Sequence, residues 1–221
     1  MTERIPVVEN ILNANDRIAL DNQQRLDEAG VFCINLMASP GAGKTSLIER
    51  TLPALSDRMA IAVIDGDVAT SIDADRAAAA GATAVQINTG GQCHLDATQL
   101  RHALDELDLA TFDLLIVENV GNLICPASFK IGAHTSALIA SVPEGDDKPY
   151  KYPGMYRGVD ALVINKTDLL PYIDFDMAYF RRGVELLNQG LVTFSLSCKT
   201  GEGMEAWIQW IEERTAQARN A

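Results

Sequence analysis

Within residues 5–28, apolar side chains fall at Val7, Val8, Ile11, Leu12, Ile18, Ala19 and Leu26, a spacing that predicts an amphipathic helix interrupted near Asn13–Asn15. From residue 31 the pattern changes to short β-branched runs. The spans 31–38, 60–65, 84–88, 113–119, 136–142, 160–165 and 191–197 each read as a strand. Between them, amphipathic periodicity predicts helices near 44–57, 73–80, 96–107, 175–188 and 203–218. Continuous apolar strands alternating with helices indicate an α/β domain whose mostly parallel, seven-stranded sheet is covered by helices. The chain divides into an N-terminal helical extension, 1–30, and one α/β domain, 31–221. The Pro- and Gly-rich stretch 142–155 reads as a long surface loop.

Charge and cysteine usage narrow the function. Over 221 residues the formal net charge is −12, which disfavours nucleic acid and anionic membrane surfaces as partners. No apolar run reaches membrane-spanning length, and the first thirty residues carry charges throughout, unlike a targeting segment. Four cysteines are too few for a disulfide framework in a domain of this size, so reduced thiols in the cytoplasm are expected.

Residues 36–46, L-M-A-S-P-G-A-G-K-T-S, follow a strand and precede a helix, as a phosphate-binding loop must. Pro40, Gly41, Ala42, Gly43 and Ser46 belong to a loop whose backbone N–H groups would cradle phosphate oxygens. Lys44 would reach the β- and γ-phosphates, and Thr45 would place its hydroxyl on Mg²⁺. Ala38 stands where the pattern has its first glycine; at a strand end, with φ expected to be negative, a methyl costs little. N-K-T-D at 165–168 and S-C-K at 197–199 each end a strand. The Asp168 carboxylate would accept from guanine N1 and N2, whereas adenine presents the opposite edge. Asn165 would brace the loop, the Lys166 stem would cover the base, and N–H groups around Ser197, Cys198 and Lys199 would meet O6.

Mg²⁺ asks for hard oxygen ligands. Glu118 closes an apolar strand, Asp67 leads into a loop, and Asp73 lies where a helix begins, as a ligand, a water-orienting group or an N-cap. Asp65 and Asp75 read as solvated. Gly121, three residues past Glu118, falls near the γ-phosphate. A second chemistry is suggested by Cys93 and His94, just ahead of a helix that Asp96 and Gln99 would cap, and by Cys125 one short loop after Glu118. Thiolate and imidazole suit Zn²⁺ or Ni²⁺, and three ligands suit an open site or one completed by a second subunit. Alternatively Cys93 and Cys125 are small buried hydrophobes and His94 a surface residue. Cys33 reads as core, Cys198 as structural and His102 as solvated.

Together, A-S-P-G-A-G-K-T-S, D-G-D-V-A-T-S-I-D-A-D-R, N-T-G-G-Q-C-H-L-D-A, E-N-V-G-N-L-I-C-P-A-S-F, E-G-D-D-K-P-Y-K-Y-P-G-M, N-K-T-D-L-L-P-Y and G-E-G-M-E-A-W resemble the HypB-type hydrogenase nickel-incorporation GTPases, over residues 31–212. The resemblance implies a P-loop NTPase fold, slow GTP hydrolysis to GDP, nucleotide-linked homodimerisation, and Ni²⁺ or Zn²⁺ held at the subunit interface by Cys93, His94 and Cys125. It further implies that Lys151 reaches the other subunit's nucleotide site. The implied partners are a HypA-like nickel-binding protein and a [NiFe]-hydrogenase large-subunit precursor. Residues 1–30 contain no Cys or His, so the N-terminal nickel-storing tract of many relatives is not expected. The competing readings are a nucleotide-gated chaperone without a metal site, and a small-molecule P-loop kinase.

Overall fold

Strands form where the β-branched runs fall: β1 (Phe32–Ala38), β2 (Ile61–Asp67), β3 (Thr83–Asn88), β4 (Leu114–Glu118), β5 (Thr135–Ser141), β6 (Ala161–Asn165) and β7 (Val192–Ser195). The computed structural model describes residues 7–67, 82–122 and 124–220, with side chains from residue 12 onward and not at 127 and 128. Among these residues the seven strands make one sheet in the order β3-β2-β4-β1-β5-β6-β7, every neighbouring pair parallel. Parallel strands covered on both faces must be apolar throughout, and β1 is buried at all seven positions. The edge strands β3 and β7 are the partly exposed ones.

Side-chain alternation divides the core between the two faces. On one face Ile34, Leu36, Val63 and Ile116 pack against Leu47, Ile48 and Leu52 of helix α2 (Lys44–Leu55) and against Trp207 and Ile211 of the C-terminal helix, Met204–Arg219. The buried Trp207 indole donates to Thr51 Oγ1 at 3.0 Å. The opposite face buries Cys33, Ile64 and Val117 under Leu26 of helix α1 (Val7–Ala29) and Leu100 and Leu104 of α3 (Ala97–Asp105). Burial raises the Cys33 thiol pKa far above the ordinary range, so this cysteine is an inert core residue as expected. The helix expected near 73–80 lies outside the described residues.

Helix α1 runs without a break through Asn13–Asn15, contrary to the sequence expectation. Asparagine weakens helices when its side chain competes for local backbone groups. Here the buried Asn15 side chain finds distant partners instead: Nδ2 donates to Lys130 O (2.7 Å), and Oδ1 accepts from Ala97 N–H (2.9 Å) at the start of α3. One turn-pair on, fully buried Asn22 donates to Ala97 O (2.8 Å) and Ile131 O (3.0 Å). Gly132, with φ +100°, permits this close approach, since a Cβ there would lie 2.5 Å from Ala19 O. His134 adds a third tie, accepting from Cys33 N–H at Nδ1 (2.9 Å) and meeting Asp27 at Nε2 (2.8 Å). Asn22→Ala is expected to destabilise the protein by about 1–3 kcal/mol, because two buried carbonyls lose their donor. A lower urea midpoint at unchanged slope checks it.

The stretch 142–155 is not the open loop its composition suggested. A 3-10 turn (Val142–Glu144) leads into two short helices, α4 (Lys148–Lys151) and α5 (Pro153–Arg157), with Val142, Pro149, Met155 and Tyr156 buried. Its prolines fall in the first turns of these elements, where a missing N–H costs nothing, and the scattered apolar residues are anchors beneath α6 (Met177–Leu187). No helix among the described residues is long and apolar enough to cross a membrane.

Candidate functional site

In an open parallel sheet, ligands bind beyond the carboxyl ends of the strands where the strand order reverses. Here β1 sits between β4 and β5, and the ends of β1, β2, β4 and β6 converge on a cleft of about 1100 Å³. Its walls carry Pro40, Gly41, Gly43, Lys44, Thr45 and Ser46 from the phosphate loop, Asp67, Glu118 and Gly121 from strand ends, and Asn165, Lys166, Asp168, Cys198 and Lys199 from the far side. The cleft thus gathers residues from three separate sequence motifs.

The loop turns through Gly41 (φ +75°) and Gly43 (φ +108°) into α2. Gly43 is under two constraints: a Cβ would lie 2.3 Å from Asn165 Nδ2, which donates to Ala42 O at 2.9 Å. Ala38, fully buried as the last residue of β1, has no positive φ, so the alanine is compatible with the loop. Buried Lys44 and Glu118 approach at 3.8 Å, and Thr45 Oγ1 donates to Glu118 Oε1 at 2.8 Å. Gly121 packs on the loop, its Cβ position 3.2 Å from Pro40 Cα. Asp65 is buried in the interior strand β2, register partner of Glu118, and not solvated as expected. Asp73 and Asp75 lie outside the described residues.

On the far side, Lys166 adopts φ +61°, the one non-glycine residue in the left-handed region among those described. Its N–H meets Asn165 Oδ1 (2.7 Å) and its ammonium meets Gly41 O (2.7 Å), contacts that offset a strain of about 1–2 kcal/mol. Asp168 Oδ1 accepts from Ser197 Oγ at 2.6 Å, which fixes the carboxylate, and Cys198 N–H donates to Asn165 Oδ1 at 3.2 Å. Burial pushes the Cys198 thiol up to about 11, consistent with a structural role. Lys151 is not a cleft residue; its exposed ammonium pairs with Asp147 within α4 and its preceding turn.

Cys93, His94 and Cys125 come together, with one potential ligand atom from each lying within 4.8 Å of the others. Cys93 Sγ is 3.7 Å from His94 Nδ1, and the imidazole stacks on Phe129 at 4.0 Å between centroids. A hydrogen bond with Cys93 raises the Cys125 thiol, with burial adding to it, while burial lowers the His94 imidazole against the opposing Asp96 charge. A neutral imidazole and two adjacent thiols make a soft donor set suited to Ni²⁺ or Zn²⁺. Asp96 and Gln99 form the predicted capping box at the start of α3. His102, near the end of α3, joins no ligand cluster among the described residues.

Three contributors were not singled out from sequence. Asn119, fully buried, joins the two sites: its Oδ1 accepts from Leu95 N–H (3.0 Å), next to His94, while its N–H donates to Leu36 O in β1 (3.0 Å). Its position beside Glu118 at the end of an apolar strand was the available signal. Glu144 accepts from Ser39 Oγ of the phosphate loop and, at 2.8 Å, from Ser141 N–H; the S-x-x-E spacing at 141–144 is a legible capping box. Arg50 reaches the S-C-K loop, and nothing in the sequence pattern marks it.

Residues 32–193 match the family described as CobW/HypB/UreG, nucleotide-binding domain. The hydrogenase maturation factor HypB of Rhizobium leguminosarum is 46% identical over 216 residues, 97% of this chain and 72% of that protein. A probable hydrogenase maturation factor HypB from Methanocaldococcus jannaschii is 40% identical, with 97% of each chain covered. The crystal structure of HypB from Helicobacter pylori in complex with nickel superposes with a TM-score of 0.88 at 36% identity, covering 92% of this chain and 96% of that one. The chain belongs to the CobW/HypB/UreG family of nucleotide-binding domains, and within it to the HypB hydrogenase maturation factors.

Proposed function

We propose that this protein is a cytoplasmic GTPase that carries nickel, with Zn²⁺ as an alternative ion, toward a [NiFe]-hydrogenase large-subunit precursor. The observation that carries this reading is the three-ligand cluster one short loop away from the nucleotide cleft. Lys44 and the loop amides stabilise charge developing on the transferred phosphoryl group. The all-oxygen set of Thr45, Glu118 and Asp67 at the cleft fits Mg²⁺, which would neutralise phosphate charge there. Asp67 or Asp73 orients the attacking water, and Gly121 follows the γ-phosphate. Asp168 selects guanine.

The metal is cargo. Cys93, His94 and Cys125 hold it in a site open to a further ligand, which in a homodimer the second subunit supplies. Lys151 extends to the other subunit's nucleotide, and a HypA-like nickel-binding protein exchanges the ion. Movement at Gly121 reaches the metal along two routes, the loop to Cys125 and the Asn119 bond to Leu95. The reading is tested by competition and dialysis together. GDP should displace a fluorescent guanine nucleotide where equal ADP does not, and the protein should retain Ni²⁺ on dialysis. Equal displacement by ADP, or no retained Ni²⁺, overturns it.

Ligation also has a proton signature. Metal displaces the Cys125 proton, held more tightly than usual by the hydrogen bond to Cys93, so affinity rises with pH and falls as acid is added. Calorimetry in buffers of different ionisation enthalpy should show at least about one proton released per ion near pH 7.

A further inference from the structure

The loop that is to face the base has its donors nearly all committed. Ser197 N–H donates to Glu202 O (2.9 Å), Cys198 N–H to Asn165 Oδ1 (3.2 Å), Thr200 N–H to Ser197 Oγ (3.1 Å) and Gly201 N–H to Ser197 O (2.8 Å). Among the backbone N–H groups of residues 197–201, Lys199 N–H is the one with no acceptor among the described residues. Its direction is not left to the loop. Arg50, on α2 two turns after Lys44, donates through Nε to Cys198 O (2.7 Å) and through Nη2 to Lys199 O (3.0 Å). The peptide bonds are trans, so the Cys198 carbonyl and the Lys199 N–H of one peptide plane point in opposite directions. Holding the carbonyl therefore aims the N–H away from Arg50. The planar guanidinium meets the two successive carbonyls with a rigid fork of donors, whereas the three donors of an ammonium rotate freely and hold the pair in no fixed orientation. Arg50, Asp168, Cys198 and Lys199 all line the same cleft.

We propose that Arg50 is a guanine-specificity residue acting through the backbone: by holding the Cys198 and Lys199 carbonyls it keeps the Lys199 N–H aimed at the O6 of the base. Adenine carries a donor amino group at that position, so a fixed N–H there rejects it as well as favouring guanine. This rests on the guanine reading of the cleft. Arg50 touches no part of the nucleotide in this account; it is a positioning residue that ties the phosphate-loop helix to the base loop.

The test compares affinities of Arg50→Ala and Arg50→Lys for GDP, IDP and 6-thio-GDP, with ADP on the unsubstituted protein as the control. IDP keeps O6, whereas 6-thio-GDP keeps the N1 and N2 donors that Asp168 reads but replaces O6 by a weak acceptor. Arg50→Ala should weaken GDP and IDP alike by about five- to tenfold, the worth of one oriented hydrogen bond, and 6-thio-GDP by no more than about twofold. Arg50→Lys should fall between. Equal losses for all three nucleotides, as from a disturbed phosphate loop, overturn the proposal, and so does no loss for any. ADP binding the unsubstituted protein as well as GDP does would instead sink the guanine reading itself, before any variant is made.

Discussion

Lys44→Ala is expected to lower the rate of GTP hydrolysis by about 10²–10³-fold, the cost of removing one preorganised donor from a developing phosphoryl charge. Lys44 is buried at the cleft, with its ammonium 3.8 Å from Glu118. Removing it also leaves the buried Glu118 carboxylate short of a cation, though Thr45 Oγ1 still donates to it. Single-turnover phosphate release at saturating GTP reads the effect. A loss below about tenfold would mean that the charge is stabilised elsewhere.

The second large effect concerns the cargo. Cys93→Ser and Cys125→Ser should each weaken Ni²⁺ binding by more than about 100-fold, since even an indirect partner of a metal ligand is worth 10–100-fold. GDP affinity should change less than about twofold, because neither cysteine lines the nucleotide cleft. Both side chains are at least partly solvent-accessible, so the substitutions leave the core intact. Unchanged nickel stoichiometry in both variants would show that these residues are not the ligands.

How much of this was legible beforehand differs by element. The strands and the helices that could be compared stand within a few residues of where periodicity put them, because buried parallel strands leave an apolar signature that needs no tertiary information. The phosphate loop was legible despite Ala38, since the requirement for positive φ falls on Gly41 and Gly43. The stripe of α1 facing the domain was misread. Asn15 and Asn22 lie on the buried side with Ala19 and Leu26, and a hydrophobic pattern cannot register polar groups whose partners are far away in the chain. The same holds for Asn119 and Arg50, whose bonds span 24 and 148 residues. Asp65 reads as solvated at the end of a strand expected to span 60–65; the strand in fact runs on to Asp67, and only the sheet order shows β2 to be interior. For 142–155, counting Pro, Gly and charge hid four buried anchors.

Coupling of one guanine-nucleotide site to one carried ion is the centre of the account. It is tested most directly by titrating Ni²⁺ into the GDP-bound protein and into the protein bound to a non-hydrolysable GTP analogue, while oligomeric mass is recorded. The prediction is that nickel affinity differs between the two nucleotide states by at least about fivefold, a coupling near the lower end of the usual 1–3 kcal/mol, and that mass shifts to a dimer with nucleotide and metal. Identical nickel affinity in both states, with mass unmoved by either ligand, would contradict it.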